Sequence, residues 1–221
     1  MHLAIYFGTT IWEIFFEIDK AIATVAHALA CRLCNGKLSW NNYQRKPRGI
    51  PVEAEKFCNF RFSLCCSSVG CRKRTTPPTV RFLGRKVYVA VFIIFIFLYE
   101  AREMHQKIIE LPPQSFAKET FKRWFMWWSF VIPNSPVWKK IVGFLPANVE
   151  NQFIPIFLME EFNKKYITLD EAIPPMLELI SPISVPSDYP SFNQPILWNK
   201  KIAQKMQLQK IDNPTYIKRS D

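Results

Sequence analysis

The sequence predicts a mainly α chain interrupted by one small β insert. Three observations lead there. Apolar residues recur at helical spacing near the N-terminus and through the second half. All six cysteines and the whole charge excess fall in one stretch between those parts. Prolines then cut the second half into helix-sized pieces. The composition is globular, with 49% hydrophobic and 21% charged residues in 221. It excludes collagen, a coiled coil and an acidic tail protein. There are 6 Gly against 17 Pro, and no GxGxxG or GxxxxGK[ST] string, so a glycine-rich phosphate cradle is not expected.

Residues 1–30 form an N-terminal helical segment. Ile11, Phe15, Ile18 and Ile22 share a helical face. Glu13, Glu17, Asp19 and Lys20 interrupt the apolar run, which also lacks the basic start of a signal peptide. Two helices are expected, roughly 3–18 and 19–30.

Residues 31–86 form the β insert. Between Cys31 and Val89 stand 13 Lys/Arg against only Glu53 and Glu55, so this segment carries the entire net charge of +11. A one-sign block suits a polyanion, nucleic acid first and anionic lipid second. Cys31-x-x-Cys34 is followed by Asn35-Gly36, and Cys66-x4-Cys71 has Gly70 before its last cysteine. Two such tight turns joined by a hairpin describe a zinc ribbon, because Zn²⁺ takes four thiolates in a tetrahedron. Cys31, Cys34, Cys66 and Cys71 are the candidate ligands of a structural Zn²⁺. Cys65 can replace Cys66 in that set, and Cys58 has no evident role. Disulfides and free buried thiols are the competing readings. The spacing from 35 to 65 is long for a ribbon, and the three histidines show no ligand spacing with the cysteines. Arg45, Lys46, Arg48, Arg72, Lys73, Arg74, Arg81, Arg85 and Lys86 are the candidate nucleic-acid contacts here.

Residues 87–181 form a helical domain. Val87–Tyr99 is thirteen uncharged residues, short of the ~20 that a spanning helix needs. A buried helix is expected, with a membrane anchor as the alternative. Glu100–Leu111 is helix-like, and Pro112-Pro113 breaks it. In the next helix Ala117, Phe121, Trp124 and Trp128 define a buried face. A helix, a short break and a second helix with a basic front fits a helix-turn-helix. Lys118, Lys122 and Arg123 are its candidate contacts; an ordinary amphipathic hairpin fits the same periodicity. Short helices follow at 136–145 and 153–162. Thr168-Leu-Asp-Glu171 is a capping box opening a helix to Ile180, with Leu169, Ile173, Leu177 and Ile180 inward. Residues 182–221 read as a Pro-rich linker and basic tail.

No active site is legible. Of five Asp, three fall after the last helix of the helical domain, and no apolar strands carry a carboxylate cluster. No Ser-His-Asp or H-E-x-x-H arrangement stands out. Enzymatic activity is therefore left without support.

The strings YQRKPRG (43–49), FRFSLCCSSVGCRKRTTPPTVRFLGRKVY (60–88) and TFKRWFMWW (120–128) resemble bacterial zinc-ribbon proteins associated with insertion elements, often described as transposase-like. The resemblance spans about residues 25–185, and the R-x-x-TPP tail is its specific part. It implies zinc on Cys31, Cys34, Cys66 and Cys71, and a helix-turn-helix that includes Lys122, Arg123 and Trp124. Full transposases with such a ribbon continue into a catalytic carboxylate domain, and this chain does not. The expected function is thus a mobile-element DNA-binding protein without its own catalysis. Its expected partners are double-stranded DNA and either a separate transposase subunit or a second copy of itself. The expected location is cytoplasmic, at the nucleoid. The alternative is a membrane-associated basic protein anchored by 87–99.

Overall fold

The computed structural model describes residues 9–47, 50, 52–82, 90, 118–145, 153–166 and 168–185. These residues form helices and small antiparallel sheets. The segment 87–99, except Ala90, and the segment 100–117 lie outside them. So do residues 186–221, and with them the tail.

Helix α1 runs unbroken over Thr9–Ala28. The expected division at residue 18 is therefore corrected. No Gly or Pro falls within the span, and the charges that suggested a break are accommodated. Glu17 and Lys20 make a surface pair at 3.7 Å, whereas Asp19 turns inward. The buried side of α1 includes Trp12, Phe15, Ile18, Ile22 and Ala26, at the three- and four-residue steps of a helix.

The β insert follows. Strand β1 (Leu38–Trp40) pairs antiparallel with β4 (Leu64–Cys66), which pairs with β5 (Arg74–Thr75). A second ladder joins β2 (Tyr43–Gln44) to β3 (Phe60–Arg61). Between them a 3₁₀ turn at Val52–Ala54 leads into the short helix α2, Glu55–Cys58. These strands are too short to stand alone. They gain their apolar cover from α1, whose Phe16 meets Phe57, Phe60 and Phe62 at ring separations of 5.5–6.1 Å.

The tail of the insert, Pro77–Phe82, is buried. The Asp19 carboxylate accepts from the Thr79 hydroxyl, from the Val80 N–H at 2.6 Å and from Arg81 Nε at 2.6 Å. Arg81 also donates to the Phe57 carbonyl. Its guanidinium lies 5.0–5.7 Å from the rings of Phe16, Phe60, Phe62 and Phe82. A buried charge is tolerated only when paired and hydrogen-bonded in this way.

The helical part contains α3 (Lys118–Met126), a π turn (Trp127–Val131), α4 (Pro136–Val142), α5 (Ile154–Lys165) and α6 (Leu169–Ile180). The helix expected to carry Ala117, Phe121, Trp124 and Trp128 on one face thus widens at Trp127, where the Ile132 N–H reaches the Trp127 carbonyl at 2.9 Å. Trp124 and Trp128 are buried, as their spacing predicts. Ser135 caps α4 by accepting from the Trp138 N–H at 3.1 Å. Glu171 accepts from the Thr168 N–H at 3.3 Å, the carboxylate half of the expected capping box. Ile173, Leu177 and Ile180 of α6 are buried. A 3₁₀ turn at Ser181–Ser184 ends the helix. Its Ser184 hydroxyl accepts from the Thr79 N–H at 3.0 Å, and its carbonyl accepts from Arg61 at 3.3 Å.

Candidate metal centre and surrounding cations

Cys31 and Cys34 occupy the loop after α1, and Cys66 ends β4. Cys71 lies on the loop between β4 and β5. Strand pairing brings the two loops together, because Leu38 of β1 faces Cys66 across the ladder. All four sulfurs lie within 4.8 Å of one another. Cys34 and Cys66 Sγ are 3.4 Å apart, and Cys31 and Cys71 Sγ are 3.7 Å apart. A disulfide needs about 2.05 Å, so these are separate thiols. Such a group of soft donors can hold a metal ion.

Each loop is shaped for the cluster. Asn35 sits at φ +57°, and Gly70 and Arg72 sit at +85° and +47°. Gly36 is needed for a different reason. A methyl group on it would lie 2.0 Å from Ser68 Oγ and 3.2 Å from both Cys34 and Cys66 Sγ. The Cys31 N–H donates to the Gly36 carbonyl at 2.8 Å, and the Asn35 N–H donates to the Cys31 carbonyl at 2.7 Å. In the second loop the Ser68 N–H points at Cys66 Sγ, 3.4 Å away.

The same donors set the thiol acidities. Backbone N–H groups of Cys34 and Leu33 hold Cys31 below its usual value. The Gly36 N–H does so for Cys34, helped by the Ser68 hydroxyl and by Cys66 and Cys71. The Lys73 N–H pulls Cys71 down, but Cys34, burial, Cys31 and Cys66 together push it up to about 12. Negative charge is welcome on part of the cluster and crowded on the whole of it. A cation bound among the four sulfurs would remove that conflict.

The structure also separates the two cysteines that the sequence left interchangeable. Neighbours on a strand face opposite ways. Cys66 faces the cluster, whereas the Cys65 thiol points to the Arg72 carbonyl at 3.4 Å. Cys58 is fully buried beside Arg81 and Asp19, and burial pushes its thiol up to about 12. It belongs to the core.

The expected nucleic-acid contacts divide sharply. Lys46, Arg72 and Lys73 are exposed. Arg74 is exposed but also donates to the Asn41 carbonyl and to Ser63 Oγ, both at 3.3 Å. Arg45 is half-buried, with its guanidinium 5.5 Å from the Tyr43 ring and 5.7 Å from that of Phe82. Arg81 is corrected: it is 0% exposed and paired with Asp19, so it cannot reach a phosphate. Lys122 and Arg123 are exposed on α3, far along the chain from the cysteines. Arg48, Arg85 and Lys86 lie outside the described residues, as do the Lys118 side chain and the first helix of the expected helix-turn-helix. Asp19, Arg61 and Ser68 were missed. Only Ser68, beside a cysteine turn, carried a local signal.

Among the described residues, no helix is long and apolar enough to cross a membrane. No family model matches the chain, and no curated protein or solved structure matches it.

Proposed function

We propose that the chain is a zinc-ribbon DNA-binding module, related to transposases of mobile elements and without catalysis of its own. The convergence of Cys31, Cys34, Cys66 and Cys71 within 4.8 Å is the observation that carries this reading. Zn–S bonds of about 2.3 Å in a tetrahedron place sulfurs about 3.8 Å apart. The separations of 3.4 and 3.7 Å are close to that edge. Four protein ligands leave no open coordination position, so the zinc is structural. Four thiolates on Zn²⁺ carry two negative charges, which the cations of the insert exceed.

The exposed Arg72 and Lys73 follow Cys71 directly, so the metal positions the loop that presents them. They supply phosphate affinity, which is sequence-independent and steep in salt. Base reading is assigned to Lys122 and Arg123 on α3, the part of the proposal that rests on sequence pattern alone. Metal analysis followed by duplex binding across a salt series tests the whole. One zinc per chain and a log–log slope that flattens by about 2 in Arg72→Gln/Lys73→Gln support it. A metal-free, well-folded chain, or a slope unchanged by the two substitutions, overturns it.

A further inference from the structure

We propose that the cysteine cluster has a second closed state. Hydrogen peroxide converts it into two cross-loop disulfides, Cys34–Cys66 and Cys31–Cys71, which keep the two loops joined once a metal has left. This deepens the metal-centre half of the proposed function and does not rest on the DNA half.

The placement of the sulfurs carries the pairing. The separations of 3.4 Å between Cys34 and Cys66 and of 3.7 Å between Cys31 and Cys71 both run from the first loop to the second. Together they use each cysteine once. Each pair has to close by only about 1.5 Å to reach bonding distance. Cys34 and Cys66 Sγ also lie together beside Gly36, both 3.2 Å from where a side chain on it would begin. Glycine leaves that side open to the two sulfurs. Pairing inside the loops, Cys31 with Cys34 and Cys66 with Cys71, would close only a few residues each and tie neither loop to the other. The cross-loop bonds join residues 32 and 40 positions apart, which constrains the unfolded chain far more.

Exposure sets the order of events. Cys34 is exposed, whereas Cys31 and Cys66 are buried. The Cys34 thiolate attacks peroxide first. An S–O bond forms, the O–O bond breaks, and the departing hydroxide takes a proton to become water. The Cys66 thiolate then attacks the sulfenic sulfur of Cys34. An S–S bond forms, the S–O bond breaks, and the second hydroxide is protonated to water. Cys31 and Cys71 react in the same way with a second peroxide. Each pair gives up two electrons, which reduce one peroxide to two waters. The sulfurs lose their negative charge and with it their hold on Zn²⁺, which is released. Cys65 takes no part, because its thiol points away to the Arg72 carbonyl.

Peptide mapping of the full chain tests this. Its metal content is measured first; it is then treated with hydrogen peroxide, alkylated and digested with trypsin without reductant. Arg32 stands between Cys31 and Cys34, so trypsin separates them. Cross-loop pairing is expected to join peptides 21–32, 33–37 and 62–72 in one adduct, with Cys65 alkylated. Pairing inside the loops gives 21–32 joined to 33–37 alone and overturns the proposal, as does oxidation that leaves no cross-link. Cys65→Ser/Cys71→Ser then assigns the partners, because Cys66 is the one cysteine left in 62–72. Peptide 33–37 on 62–72 supports the assignment; peptide 21–32 there, or nothing, overturns it. If that variant does not fold, fragmentation of the wild-type adduct between residues 66 and 71 decides instead. Amides of 31–40 and 64–75 in the oxidised chain should exchange within about threefold of the untreated rates. Exchange as fast as in the reduced, chelated chain overturns the claim that the loops stay joined. A chain that arrives without metal refutes the zinc reading, and the same map still decides the pairing.

Discussion

The β insert is held at its two ends by opposite means. At the loop end, four thiols face one another across two turns, with exposed residues around them and little apolar cover. At the tail end, Asp19 and Arg81 pair in a dry aromatic surround, tied to α1 and α2 by side-chain and backbone hydrogen bonds. The loop end has the donors to take a metal ion from outside the chain. The tail end finds its counter-charge within the chain, although Arg81 Nη2 is buried there without a hydrogen-bond partner. A small sheet with strands of two or three residues has little core to hold both ends by burial, and a metal on the cysteines would supply what burial does not at the loop end.

Breaking the loop end should have the largest effect. Cys34→Ser, or strong chelation, should remove the metal and expose the amides of 31–40 and 64–75 to hydrogen exchange. The protection around Asp19 and Arg81 should persist. Structural zinc sites contribute about 10–16 kcal/mol of apparent binding energy to small folds. If exchange rises equally at both ends, the two are one cooperative unit and the contrast fails.

Breaking the tail end comes next. Asp19→Ala leaves the Arg81 guanidinium buried without its counter-charge and should cost about 3–5 kcal/mol in urea unfolding. Asp19→Leu/Arg81→Met should recover much of that loss, since replacing a buried pair is often neutral. A double variant as unstable as the single one would show that hydrogen bonds to Thr79 and Val80, rather than charge, carry the node.

A buried acid without a partner such as Arg81 sharpens the point. Glu178 on α6 is 7% exposed, and burial raises its carboxyl to about 7. The folded state then holds the proton more tightly than the unfolded chain. Its cost is absent below the ordinary value of 4.5 and grows as pH rises through 7. Glu178→Gln should therefore stabilise by about 2–3 kcal/mol at pH 8 and change little at pH 4. Equal stabilisation at both pH values would mean that charge is not the cause.

The smallest expected effect is at the loop again. Gly36→Ala puts a methyl group against Ser68 and two sulfurs. It should weaken metal affinity about tenfold, as outer-shell changes do, in a competition titration with a chromogenic chelator. Unchanged affinity would show that Ser68 swings aside.

Much of this arrangement was legible in the residues. Two short-range cysteine pairs, each with a turn-forming glycine, announce a cluster because ligand geometry is local within each turn. The Trp124–Trp128 face and the helix after Thr168 follow from spacing and capping, which are also local. The choice of Cys66 over Cys65 was not legible. It depends on which face of β4 meets the first loop, and register with β1 settles that.

Charge shows the same divide. The sequence by itself determined that 13 cations crowd into one segment with two acids, and hence that this segment needs anionic company. Only the tertiary structure decided where that company comes from for each cation. Arg81 finds Asp19, 62 residues earlier, on a helix that the sequence reading had broken at that very charge. Arg61 finds the carbonyl of Ser184, 123 residues later. Arg72 and Lys73 remain exposed on the loop the cysteines hold. The physical reason is that a side chain's charge is a property of its residue. Its desolvation and its partners are properties of whatever the fold brings within a few ångströms of it.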